Sequence, residues 1–123
     1  MAKILVADDS KEFLSLYRDL ITSMGVTVIT AENGAEAIQR TWSEKPDLVI
    51  LDLEMPEMTG AECTRLLKQD PSCTSIPVII VTSHIGQKDM AACYQSGVEE
   101  ILAKPFSNAQ IENLLRRHLS MPS

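Results

Sequence analysis

Four apolar runs in this 123-residue chain end in residues that can do chemistry: ILVA meets Asp8 and Asp9, LVIL meets Asp52, VIIV meets Thr82 and ILA meets Lys104. A carboxylate, a hydroxyl and an ammonium at the ends of buried strands point to one polar edge. Carboxylates crowded within a few ångströms repel and raise one another's pKa unless a cation sits among them. Mg²⁺ is the expected cation, because it prefers hard oxygen ligands, takes one or two carboxylates and fills its remaining positions with water and phosphate oxygens. Asp9 and Asp52 would bind it directly. A carboxylate can attack phosphorus to form an acyl phosphate when the incoming dianion is neutralised and held in line. Asp52 is the expected nucleophile. Thr82 would donate a hydrogen bond to one phosphoryl oxygen, Lys104 would pair with another, and the backbone amide after Asp52 would supply a third donor.

These residues must be positioned by the elements that precede them. Apolar stretches of about five residues alternate with longer segments of helical period, the pattern of a parallel sheet covered on both faces. The expected strands are Lys3 to Ala7, Thr27 to Thr30, Leu48 to Leu51, Pro77 to Val81 and Glu100 to Ala103. Phe13, Leu14, Tyr17, Leu20, Ile21 and Met24 recur at helical spacing and predict a helix from Lys11 to Met24, stopped by Gly25. Further helices are expected over Ala35 to Trp42, Gly60 to Lys68, Lys88 to Ser96 and Asn108 to Leu119. Thr59 with Glu62 and Ser107 with Gln110 spell capping boxes. Pro46, Pro71, Pro77 and Pro105 fall between elements, where proline costs nothing. Strict alternation implies an α/β, doubly wound domain of five parallel strands and five helices. The order 2-1-3-4-5 is expected, with a ligand beyond the carboxyl ends of the first and third strands. Only the second strand, ending at Thr30, brings no chemistry to that edge.

The DD pair after strand one, DLEMPEMTG after strand three, Thr82 after strand four and KPF after strand five together resemble the receiver domain of two-component response regulators. The resemblance, CheY-like in its sheet order, spans essentially the whole chain, so that residues 1–123 are expected to form one receiver domain. It implies that Asp52 is the phosphoacceptor, that Asp9 and the Glu54 backbone carbonyl ligate Mg²⁺, that Asp8 holds the ion through water, and that Thr82 and Lys104 read the phosphate. It also implies a cis peptide bond between Lys104 and Pro105. A histidine kinase would be the phosphodonor. A downstream protein would bind the face of helix four, strand five and helix five, which carries Tyr94, Ile101 and Phe106. Receivers commonly have an aromatic residue where this chain has Ile101, so movement of Thr82 and of the loop from Ser83 to Lys88 is expected to carry the conformational change. Glu54 and His84 resemble positions that set how fast the acyl phosphate hydrolyses.

Composition excludes several other functions. A net charge of −6 argues against direct nucleic-acid binding, which needs a basic face. No apolar run is long enough to span a bilayer and no signal peptide opens the chain, so a cytoplasmic protein without membrane insertion is expected. Cys63, Cys73 and Cys93 form no CxxC pair and read as buried thiols. His118, beside Arg116 and Arg117, suits the negative end of the last helix. Met55, Met58 and Trp42 read as loop and core packing. A dehalogenase-type phosphatase would need an acid–base residue where Glu54 stands and a cap domain. A flavodoxin-type carrier would need a hydroxyl- and glycine-rich loop in place of ADDSKE. The chain is thus expected to be no enzyme beyond its own phosphorylation and dephosphorylation. The alternative is a receiver-like scaffold that works without phosphorylation.

Overall fold

A computed structural model describes residues 2–83 and 86–119. Five strands, β1 (Lys3–Ala7), β2 (Thr27–Ala31), β3 (Leu48–Asp52), β4 (Val78–Thr82) and β5 (Glu100–Ala103), alternate with α1 (Lys11–Thr22), α2 (Gly34–Glu44), α3 (Gly60–Gln69), α4 (Gln87–Gln95) and α5 (Asn108–Leu119). Every strand pair is parallel, as the alternation predicted, and the order is the expected β2-β1-β3-β4-β5.

The central strands are buried on both faces, and successive residues feed opposite layers because a strand has a side-chain period of two. Leu5, Val49, Leu51 and Ile80 pack with Ala37, Ile38, Cys63, Leu67 and Cys93 of α2, α3 and α4. Ile4, Val6, Ile50, Ile79 and Val81 pack with Leu14, Tyr17 and Ile21 of α1 and Ile111, Leu114 and Leu115 of α5. The sheet therefore holds its carboxyl edge rigidly between two dry layers.

Both capping boxes form. Thr59 Oγ1 accepts from Glu62 N while Glu62 Oε1 accepts from Thr59 N, both at 3.1 Å. Ser107 and Gln110 exchange the equivalent pair at 2.7 and 3.1 Å. Helix α1 ends two residues before the expected Met24, and Gly25 takes φ +81° in the turn that follows. That left-handed value favours glycine. All three cysteines are free and buried.

One packing expectation changes and another expectation is extended. Trp42 is 51% exposed rather than core, because it lies on the outer face of α2 with its indole in hydrogen-bonding reach of the Asp70 carboxylate. His118 does more than sit at a helix end: its Nε2 lies 3.0 Å from Glu100 Oε1, where Arg117 also makes a bidentate contact at 2.6 and 2.9 Å. Met55 is buried and Met58 packs against the same core, as expected. Among the described residues no helix is long and apolar enough to cross a membrane.

Candidate phosphoacceptor site

The carboxyl ends of β1, β3, β4 and β5 bring Asp8, Asp9, Asp52, Thr82 and Lys104 to one edge. Carboxylate oxygens of Asp8, Asp9 and Asp52 all lie within 4.8 Å of one another. Asp8 and Asp52 are buried, at 1% and 7% exposure, whereas Asp9 is exposed. The cluster therefore opens to solvent on one side only. Lys104 Nζ bridges the two buried members, 3.0 Å from Asp8 Oδ2 and 3.4 Å from Asp52 Oδ1.

Backbone bonds lock this arrangement. Asp8 N–H donates to the Ala31 carbonyl at 3.1 Å, and Asp8 Oδ1 accepts from Ser10 N at 2.9 Å. Ser10 in turn caps α1 by accepting from Phe13 N. Thr82 is buried in register with Ala103, and its carbonyl accepts from Lys104 N at 2.9 Å, so the hydroxyl-bearing and ammonium-bearing residues share one ladder.

Electrostatics make Asp52 a strained anion while no cation is present. Burial is the main cause and the neighbouring Asp8 charge adds to it; Lys104 and the Glu54 N–H oppose them, and the carboxyl rises from its ordinary 3.8 to about 6. The same two carboxylates, after burial itself, hold the Tyr17 phenol above its usual range. A divalent cation among three hard oxygen donors would remove that strain, so the donor set fits Mg²⁺.

Two further residues shape the site beyond those expected to do so. Gly60 opens α3 against the end of β3: its N–H donates to the Leu53 carbonyl at 2.9 Å, and a Cβ there would come within 2.6 Å of the Asp52 carbonyl oxygen. Only glycine lets the helix approach the Asp52 backbone that closely. A glycine at the first position of a well-capped helix was the available signal. Phe13 read as one more apolar position on α1, yet its ring lies under Lys104, with Nζ 4.0 Å from the ring centroid. No local pattern could have announced that contact.

The Glu54 side chain is exposed beside the site. His84 lies outside the described residues. Ile101, at the position where receivers commonly carry an aromatic residue, is half-buried against the α2–α4 side of the core. Tyr94 is 53% exposed and Phe106 half-buried.

Residues 4–116 match the family model described as the response regulator receiver domain. The polar-differentiation response regulator DivK of Brucella anthropi is 33% identical over 116 residues, 94% of each chain. The chemotaxis protein CheY4 of Vibrio cholerae superposes with a TM-score of 0.91 at 27% identity, over 96% of this chain and 98% of that one. The receiver domain of a sensor histidine kinase from Pseudomonas aeruginosa, solved with a magnesium ion coordinated in its active-site cleft, gives a TM-score of 0.90 at 25% identity over 98% of both chains.

Proposed function

Because this chain belongs to the response regulator receiver family, we propose that residues 1–123 act as one phosphoacceptor domain, with Asp52 taking a phosphoryl group from a histidine kinase. The observation that carries the proposal is the convergence of Asp8, Asp9 and Asp52 with Lys104 at the carboxyl edge of the sheet.

An Asp52 carboxylate oxygen attacks phosphorus, a P–O bond forms, and the P–N bond to the donor imidazole breaks with its electron pair leaving on nitrogen. Mg²⁺, when bound, neutralises the phosphoryl oxygens and relieves the repulsion among the carboxylates. Asp9, Asp52 and the Glu54 carbonyl would hold it directly, and Asp8 would hold it through water. Lys104 swings its charge from the Asp8–Asp52 pair onto a phosphoryl oxygen, and the Thr82 hydroxyl donates to another. No strong general base is needed, because Asp52, though raised to about 6, is mostly an anion near neutral pH, and a bound cation would bring its pKa back down.

A receiver domain is not a classical enzyme; its self-catalysed phosphorylation and hydrolysis serve a binding switch. Movement of Thr82 and of the following loop toward the phosphoryl group alters the face of α4, β5 and α5 and thereby its affinity for a downstream protein. The acidic net charge favours a protein over nucleic acid as that partner. Work in the cytoplasm, beside the kinase's phosphodonor, follows from the same reading.

Intact-mass measurement after incubation with acetyl phosphate tests the mechanism. One phosphoryl adduct is expected with Mg²⁺, none with chelator, and none in Asp52→Asn. If no adduct forms and beryllofluoride also fails to bind, a receiver-like scaffold that works without phosphorylation replaces this proposal.

A further inference from the structure

Lys104 is the most flexible group at the site, a four-carbon stem that must deliver its charge to one place. Its ammonium has Asp8 Oδ2 at 3.0 Å, Asp52 Oδ1 at 3.4 Å and the Phe13 ring centroid at 4.0 Å. Both carboxylates are drawn into other bonds by the reaction: Asp52 becomes bonded to phosphorus, and the acidic cluster serves the cation. The ring is the neighbour that the chemistry leaves unchanged. With the lysine side chain only 11% exposed, attraction between the ammonium and the π face is little screened by water.

The ring is itself held in place. Phe13 lies in the first turn of α1, where its N–H is taken by Ser10 Oγ at 3.3 Å. One turn later Tyr17, 2% exposed, packs near it with centroids 6.4 Å apart. Tyr17 packs in turn on Phe106 at 5.4 Å, and Phe106 follows Lys104 by a single intervening proline. The three rings thus connect the start of α1 back to the strand end that carries the lysine. Around Phe13 the surface is a groove formed with Leu16, Leu20 and Pro105.

We propose that Phe13 is a positioning residue for phosphoryl transfer, its ring confining the Lys104 ammonium so that it moves only as far as a phosphoryl oxygen when Asp8 and Asp52 are engaged elsewhere. The role rests on the phosphoacceptor reading above.

The test compares the natural chain with Phe13→Leu, Phe13→Tyr and chains carrying singly, doubly and triply fluorinated phenylalanine at position 13. Fluorine weakens the π face while changing the ring's size little. The rate of adduct formation from acetyl phosphate with Mg²⁺ is expected to fall about fivefold in Phe13→Leu. It should be restored in Phe13→Tyr and decline stepwise with each added fluorine, while melting temperatures stay within a few degrees of the natural chain's. In the metal-free protein the Lys104 ε-methylene protons should resonate upfield through the ring current, and lose that shift in Phe13→Leu. A Phe13→Leu chain that is phosphorylated as fast as the natural one, or a rate indifferent to fluorination, overturns the role while leaving the phosphoacceptor mechanism intact. A natural chain that takes no phosphoryl group overturns both.

Discussion

Helices α1 and α4 both start directly beyond a strand end that supplies the site, yet they are anchored very differently. Helix α1 follows Asp8 and Asp9, is capped by the Ser10 side chain, and buries Leu14, Tyr17 and Ile21. Helix α4 comes after β4, has Gly86 as an N-cap without a side-chain hydrogen bond, and buries only Cys93. Full burial of a large apolar side chain stabilises by about 1.5–3 kcal/mol, so the anchoring of the two helices differs by several kcal/mol. The difference assigns them different work. A firmly packed α1 keeps the Asp8–Asp9 end of β1 in place, whereas a lightly held α4 can shift at small cost, as the proposed binding switch requires.

The two tyrosines give the largest contrast. Tyr17→Ala should destabilise the protein by about 3–5 kcal/mol, because it empties a fully buried site on the α1 side. Tyr94→Ala, on the exposed face of α4, should stay within about 0.5 kcal/mol. Denaturant unfolding of the two variants measures both, and similar losses would break the distinction between the helices.

A smaller effect comes from the strained carboxyl at the site. Because the folded chain raises Asp52 from 3.8 to about 6, its contribution to stability is fully present below the unfolded value and is lost as pH rises through about 6. The metal-free Asp52→Asn chain lacks that loss. It should melt roughly 10 °C above the natural chain near pH 7, by about 3 kcal/mol, and the gap should close near pH 4. Added Mg²⁺ should narrow it from the other direction by stabilising the natural chain. A gap that is the same at both pH values would remove the electrostatic account of the site.

The smallest effect sharpens the comparison at α4 itself. At Gly86 a Cβ would meet nothing closer than Asp89 Oδ2 at 3.5 Å, so Gly86→Ser can be accommodated and supplies the missing cap. It should add a few tenths of a kcal/mol, visible as slower amide exchange over Gln87–Gln95 with α1 unchanged. Exchange slowed equally in both helices would mean that they open together.

Much of the carboxyl edge could be read from local pattern. Asp8, Asp9, Asp52, Thr82 and Lys104 each follow a strand of about five apolar residues, and in a doubly wound parallel sheet all such ends face one way. Element boundaries were legible to within two residues because caps, prolines and glycines are local chemistry, as at Thr59 with Glu62. Trp42 was misread for a related reason: helical periodicity shows that a face exists but fixes its rotation only loosely, and the ring lies on the outer side.

What the sequence determined by itself is the order of elements, their parallel, doubly wound class and the set of reactive groups gathered at one edge, since each depends on periodicity and chain direction over a few neighbouring residues; the strand order came with the family resemblance. What only the tertiary structure decided is the distance at which those groups meet. The 2.6 Å approach that reserves position 60 for glycine, the Phe13 ring beneath Lys104, and the burial that lifts the Asp52 carboxyl all arise between segments remote along the chain. Close packing makes such contacts sensitive to fractions of an ångström, a scale on which residue spacing along the chain carries no information.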